Sequence, residues 1–239
     1  LGVKVEKGGV ERTVYYDDSR WNLLKEKREV AKKVILTLES NGIHARTHGS
    51  IARGDVNVDS DVDVFFTEYV PSYKVELALE KTYTIYKREV VQATPRSTPK
   101  AYLYLDPYEK TCVSFPLARL LKNEIEFYEF GGTVGLKELY DGVRKKGVNK
   151  RLMLIIPKDF GHVERSILGK EAEVAKELGI SLETVMERVR VLSKRDEVGR
   201  TGTFLKLNVP REENVEKFVR DKASSNWMLR KVIEERGYF

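Results

Sequence analysis

Two aspartates one residue apart, Asp61 and Asp63, lie in the stretch HGSIARGDVNVDSDVDVFF at residues 48–66. Successive strand side chains point to opposite faces, so these carboxylates share one face while Val62, Val64 and Phe66 turn to the other. Carboxylates held that close repel each other unless something positive lies between them. A hard divalent cation, Mg²⁺, answers that need because it takes oxygen ligands. The plainer alternative is an acidic strand end with both groups in water.

The elements that must position this pair follow from hydrophobic spacing. Residues 1–18 alternate loosely and contain Gly8-Gly9, which reads as a hairpin or an extended arm. From Ser19 to Ser40, apolar residues at 21, 24, 30, 34, 35 and 38 predict a helix, capped by Asp18 or Ser19 and closed near Asn41-Gly42. A short strand over 43–47, the start of a helix at 50–53 and a strand at 61–66 come next, then a helix over about 73–84. Strands follow at about 88–94, 101–105 and 111–115, with Asp106-Pro107 marking a turn. Residues 124–130 alternate again and read as extended, 136–144 as helical and 151–156 as a strand ended by Pro157. The rest, 158–239, is mostly helical and rich in charge.

The 239 residues, 41% hydrophobic and 33% charged, suit a soluble protein with a real core. The most apolar run, Leu152–Ile156, is strand-sized, so no membrane span is expected. No signal peptide is visible, although the chain begins at Leu1. Cys112 is the single cysteine, which excludes an internal disulfide, fits a reducing cytoplasm and reads as a buried strand residue. Gln92 is the only glutamine among abundant Lys, Arg, Glu and Asp, a bias seen in thermophiles. Net charge is +6, with basic residues concentrated from Lys137 to Lys158. That cluster suits a polyanionic partner, or equally a solvated linker.

Gly49-Ser50, ten further residues, then Asp61-Val62-Asp63-Val64 resembles the signature of the DNA polymerase beta-like nucleotidyltransferase superfamily. Ala52-Arg53-Gly54 and Ser60 are similar to the version in minimal nucleotidyltransferases and archaeal CCA-adding enzymes. The resemblance covers about residues 20–116. It implies an α/β (α+β) fold, a mixed sheet flanked by helices, and Mg²⁺-dependent transfer of a nucleoside monophosphate from a nucleoside triphosphate. By that resemblance Asp61 and Asp63 hold two Mg²⁺ ions, while Gly49, Ser50, Arg53 and Ser60 bind the nucleotide. The roles make physical sense. Gly49 lets backbone approach a phosphate, Ser50 opens a helix whose N–H groups favour anions, and Arg53 offers a planar fork. An ordinary strand-to-helix turn would account for Gly49-Ser50 alone.

The family places a third carboxylate on a later strand, and Ser114 stands where it would be. Asp106 and Glu109 lie in the neighbouring turn. Three readings stay open: another register, substitution by a neighbouring acid, or a site that binds nucleotide with little or no catalysis.

Residues 171–209 resemble a winged helix-turn-helix: an apolar stripe at 172–178, Gly179 as the turn, Ser181 as the cap of a second helix, and a wing at 199–202. Thr184, Arg188, Arg190 and Arg200 are then candidate nucleic-acid contacts, with dimerisation or packing as the alternative role. Glu183 and Glu187 on the same helix weaken the nucleic-acid case. A helix over about 213–236 would pack on this unit or on a second copy, with Trp227 and Met228 in the core. His162 reads as structural. The expected organisation is a nucleotidyltransferase domain at 1–157 and a smaller, mostly α winged-helix domain at 158–239. The competing function class is a nucleic-acid-binding regulator that keeps a nucleotide-binding but weakly active nucleotidyltransferase-like domain.

Overall fold

Hydrophobic spacing produces the first long element, and the chain then alternates short strands and helices. A computed structural model describes residue 5, residues 11–199 and residues 202–237. In chain order the elements are β1 (Arg12–Tyr15), α1 (Asp18–Glu39), β2 (Arg46–His48), α2 (Ser50–Arg53), β3 (Val62–Phe65), α3 (Ser72–Glu80), β4 (Lys87–Gln92), β5 (Lys100–Tyr104) and β6 (Thr111–Pro116). They continue with α4 (Lys122–Gly131), β7 (Thr133–Gly135), α5 (Leu136–Tyr140), β8 (Gly147–Val148), β9 (Met153–Lys158) and β10 (Gly161–Ser166). The last are α6 (Glu171–Leu178), α7 (Leu182–Val198), β11 (Leu205–Asn208), α8 (Val215–Ser225) and α9 (Trp227–Arg236). No helix among the described residues is long and apolar enough to cross a membrane.

These elements form two compact units, each assembled from separate stretches of chain. The first comprises residues 1–30, 47–60 and 122–201; the second comprises 31–46, 61–121 and 202–239. The boundary expected at 157/158 falls inside β9, whose residues Met153–Lys158 pair antiparallel with β10.

The first unit is built on a four-stranded sheet ordered β1-β10-β9-β8. Its core joins Leu152, Leu154 and Ile167 to Val174 and Ala175 of α6 and to Val185 and Leu192 of α7. Residues 122–131 are helical, not extended. Glu126 hides the helical stripe from view, because an acidic residue sits at an inward position. It is buried, and its carboxylate accepts hydrogen bonds from the hydroxyls of Ser181 and Thr184 at the start of α7.

The helix–turn–helix step itself is present. Gly179 ends α6 at φ 68°, and the Ser181 hydroxyl accepts the Thr184 N–H at the start of α7. The wing expected at 199–202 includes Arg200 and Thr201, which lie outside the described residues. β11, the strand that follows it, pairs antiparallel with β4 as an edge strand of the second unit. No winged-helix domain is seen among the described residues of 171–209.

The second unit carries the neighbouring strands β11-β4-β5-β6-β3. All these pairs are antiparallel except β3 with β6, which run parallel. Strand alternation splits this sheet cleanly. Val62, Val64, Leu103, Val113, Phe115 and Val90 are buried on one face, while Asp63, Cys112, Tyr104 and Lys87 follow one another across the other. The predicted helix at 213–236 breaks at Asn226, whose side chain accepts the Leu229 N–H and caps α9. Trp227, expected in the core, is 63% exposed just after that break.

Candidate functional site

In the first unit, the segment from Gly49 to Ser60 is held from several sides. Gly49 has φ 74° and ψ −140°, a conformation that favours glycine, and nothing lies within 4 Å of where a β-carbon would sit. Its N–H donates to the Gly132 carbonyl at 3.0 Å. Ser50 opens α2, which is a single turn, and its carbonyl accepts the Gly54 N–H. Arg28 of α1 donates from Nε to the Ile51 carbonyl at 3.0 Å and from its terminal nitrogen to the Ala52 carbonyl at 3.1 Å. A buried guanidinium thus satisfies carbonyls at the end of α2. Burial, and after it the charge of Arg144, brings the Arg28 pKa down to about 10. Sequence spacing does not mark Arg28, because it lies 22 or more residues before the groups it serves.

Arg53, expected to reach the triphosphate, is turned inward. Its fork makes two bonds to the Asp55 carboxylate, at 2.9 and 3.0 Å, and donates to the Gly131 carbonyl at 2.7 Å. The side chain is buried, so it braces the loop from beneath. Ser60 is likewise engaged locally. Its hydroxyl accepts the Asn57 N–H at 3.0 Å, and its carbonyl accepts Lys27 Nζ.

In the second unit, Asp61 and Asp63 bracket the start of β3. Asp61 is exposed and pairs with Lys110 at 3.1 Å. Asp63 is half-buried and stands opposite Cys112 in the parallel β3–β6 register. Cys112 Sγ donates to Asp63 Oδ1 at 3.0 Å. Burial, then the Asp63 charge and that hydrogen bond, pushes the thiol well above its ordinary pKa, so it is a neutral donor at physiological pH.

The residues weighed for the third carboxylate have other work. Ser114 is buried opposite Phe65, and not opposite Asp63. Asp106 accepts backbone N–H groups of Tyr108, Lys110 and Thr111, closing the turn. Burial alone would raise its pKa, but these bonds together hold it below the ordinary value. Glu109 pairs with Lys87 at 2.8 Å and adopts φ 57°.

The acid that sequence reading missed is Glu89, whose side chain is 1% exposed. It pairs with Lys87 at 2.7 Å and Lys206 at 3.2 Å, and accepts the Tyr104 hydroxyl at 3.1 Å. Burial opposes its ionisation, but the three donors outweigh it and lower the pKa. Burial, and then the Glu89 charge, raises Tyr104 in turn. Glu89 lies on β4, three strands from Asp63 in the order β4-β5-β6-β3. At about 4.8 Å per strand, that is roughly 14 Å, too far to share a metal ion with Asp63. The strand register puts positions 87 and 89 on the Asp63 face of the sheet, while the adjacent Val90 and Val91 break the alternation that could have marked Glu89 in the sequence.

Among the described residues, no group of three or more His, Cys, Asp or Glu side chains is gathered to hold a metal. A pair of carboxylates nevertheless suits Mg²⁺, which is commonly held by one or two carboxylates with water and substrate phosphates completing the shell.

The candidate nucleic-acid contacts of α7 do not form one surface. Thr184 is buried beneath the Glu126 carboxylate, Arg188 lies over the Phe127 ring, Arg190 is exposed, and Arg200 lies outside the described residues. His162 is buried and bonded to Tyr16, as a structural histidine would be.

Residues 28–106 match the family described as "Nucleotidyltransferase domain". The match contains Gly49-Ser50, Asp61 and Asp63. No curated protein matches the chain.

Proposed function

We propose that the protein transfers a nucleoside monophosphate from a nucleoside triphosphate to an acceptor, with release of pyrophosphate. The observation that carries this reading is the pair Asp61 and Asp63 at the start of β3, inside the matched nucleotidyltransferase domain. Asp61 and Asp63 would hold Mg²⁺, and Gly49 and Ser50 would receive the triphosphate through their backbone. Bound there, Mg²⁺ would neutralise the triphosphate and activate the attacking group.

The chain's own residues set the terms of that reaction. The Cys112 thiol donates to one oxygen of Asp63 and holds the carboxylate at the start of β3. Lys110 balances Asp61 until a cation displaces it. Arg28 and Arg53 keep the Gly49–Ser60 segment in shape without touching substrate.

Cys112 and Ser114 favour a second reading, in which the triphosphate binds and turnover is slow. Neither side chain is a carboxylate, and neither can take a proton from an acceptor hydroxyl as readily as one.

The test is a titration of each of the four nucleoside triphosphates, with and without Mg²⁺, following binding and pyrophosphate release. Mg²⁺-dependent binding that weakens at least tenfold in Asp61→Asn/Asp63→Asn is the expected result. Pyrophosphate release on adding an acceptor selects transfer, and binding without release selects the second reading. No binding of any triphosphate would sink both.

A further inference from the structure

Arg188 presents a puzzle that the fold alone does not explain. It is half-buried on α7, and its Nε is sealed from solvent with no partner. Among the described residues its guanidinium makes no hydrogen bond and no ion pair; its carbon lies 4.8 Å from the centre of the Phe127 ring. Buried polar groups are nearly always satisfied. Only Nε is sealed; the terminal nitrogens of the fork are not, and they are open to an acceptor.

Its surroundings identify what that acceptor is. Phe127 meets the His48 ring edge-on at 6.0 Å, and His48 immediately precedes Gly49-Ser50. The far end of the same helix reaches the same place. A β-carbon on Gly131 would lie 3.7 Å from His48 Nδ1 and 3.8 Å from the Gly49 nitrogen. Helix α4 therefore runs alongside the Gly49–Ser50 turn, and Arg188 lies across it. At the turn itself, nothing lies within 4 Å of where a Gly49 β-carbon would sit, and Arg53 is engaged by Asp55 and Gly131.

We infer that Arg188, held over Phe127, is the side-chain cation that receives the phosphates of the nucleotide at the Gly49–Ser50 turn. This rests on the reading of the site as a triphosphate site and deepens it. The cation–π contact holds the fork over the Phe127 ring, and its N–H groups suit an anion. Burial, then the charge of Arg195, brings the Arg188 pKa down to about 10, with Glu187 opposing. A phosphate supplies the negative charge that this buried position lacks.

Isothermal titration of the full chain with MgATP and with inorganic tripolyphosphate separates the outcomes. For wild type both probes bind. Arg188→Ala weakens each by roughly 10- to 100-fold, the loss of one or two charge-assisted hydrogen bonds. Arg188→Lys recovers part of that loss, because it returns the charge without the fork. Arg188→Gln, which keeps the stem over Phe127, reads the same effect if the alanine variant does not fold. Unchanged affinity in folded Arg188→Gln and Arg188→Ala overturns the inference and leaves Arg188 as a packing cation, with the triphosphate site standing. Weakened ATP binding with unchanged tripolyphosphate binding also overturns it, since the contact would then be to base or ribose. Wild type binding neither probe removes the triphosphate site and this inference with it.

Discussion

Cys112 and Asp63 face each other across a parallel strand pair, the thiol donating to the carboxylate at 3.0 Å. Forty-nine residues separate them in sequence, so only the β3–β6 register brings them together. The consequence is that one of the two candidate metal ligands accepts a hydrogen bond from a neutral donor. Cys112→Ser keeps a hydroxyl donor and is expected to hold Mg²⁺-dependent nucleotide binding within about threefold, whereas Cys112→Ala loses the bond, about 1–2 kcal/mol of stability, and part of that binding. Cys112→Asp sets a carboxylate against Asp63, so its melting temperature should fall in EDTA and recover with Mg²⁺. A Cys112→Asp protein indifferent to Mg²⁺ would show that Asp63 is no cation ligand.

Glu89 anchors the same sheet face through three donors. Replacing it with alanine removes the acceptor of Lys206 and of the Tyr104 hydroxyl and leaves Lys87 with Glu109, at a cost on the order of 3 kcal/mol. Because its folded pKa is depressed, its contribution is fully present above the ordinary glutamate value of 4.5 and is lost as pH falls below it. Urea unfolding from pH 7 to pH 3 should therefore show a steeper acid loss in wild type than in Glu89→Gln. Equal slopes would mean that the network does not stabilise the sheet.

Much of this arrangement was legible from spacing. The long first helix, the Asp61–Phe66 strand and the three strands after the third helix fall within a few residues of where periodicity puts them. Their signals are local: a 3.6-residue stripe, or alternation between turn residues. Apart from the break at Asn226, which a local side-chain cap makes, the failures were non-local. Helix α4 reads as extended because Glu126 occupies an inward position, satisfied by hydroxyls some 55 residues away. The strand after the expected wing, β11, finds its partner in β4, more than a hundred residues earlier. Arg53 has the right type and spacing for a phosphate contact, yet Asp55 and the Gly131 carbonyl take its fork. Pattern identifies which residue types a turn needs and is silent on which of them the tertiary fold consumes.

That distinction makes Arg53 testable apart from any ligand. Its pair with Asp55 is nearly sealed from solvent, so Arg53→Ala strands a buried carboxylate and two carbonyl acceptors. Losing one partner of such a pair costs roughly 3–5 kcal/mol, a fall of about 10 °C or more in melting temperature for a chain of this size. Arg53→Lys retains charge without the bidentate geometry and should fall between. The melt is run without nucleotide. An unchanged melt accompanied by lost triphosphate affinity would return Arg53 to the role that its sequence position suggests.

The buried Tyr16–His162 pair gives the first unit its own pH response. Burial pushes Tyr16 up to about 12, so its hydroxyl stays protonated, and it shares a hydrogen bond with His162 Nδ1 at 2.7 Å. The remaining ring nitrogen is 3.7 Å from Glu164 and has no hydrogen-bond partner. Burial lowers the His162 pKa, with Asp55 and Glu164 opposing and Arg20 adding to the fall. The unfolded chain therefore takes up this proton first, near 6.5, and stability drops as pH falls below that value while it is complete above it. His162→Gln should flatten the decline between pH 6.5 and 5, leaving the later loss below 4.5 that belongs to carboxylates such as Glu89. Chemical denaturation at half-unit pH steps measures both windows. An identical decline in wild type and His162→Gln across the upper window would assign it to another group.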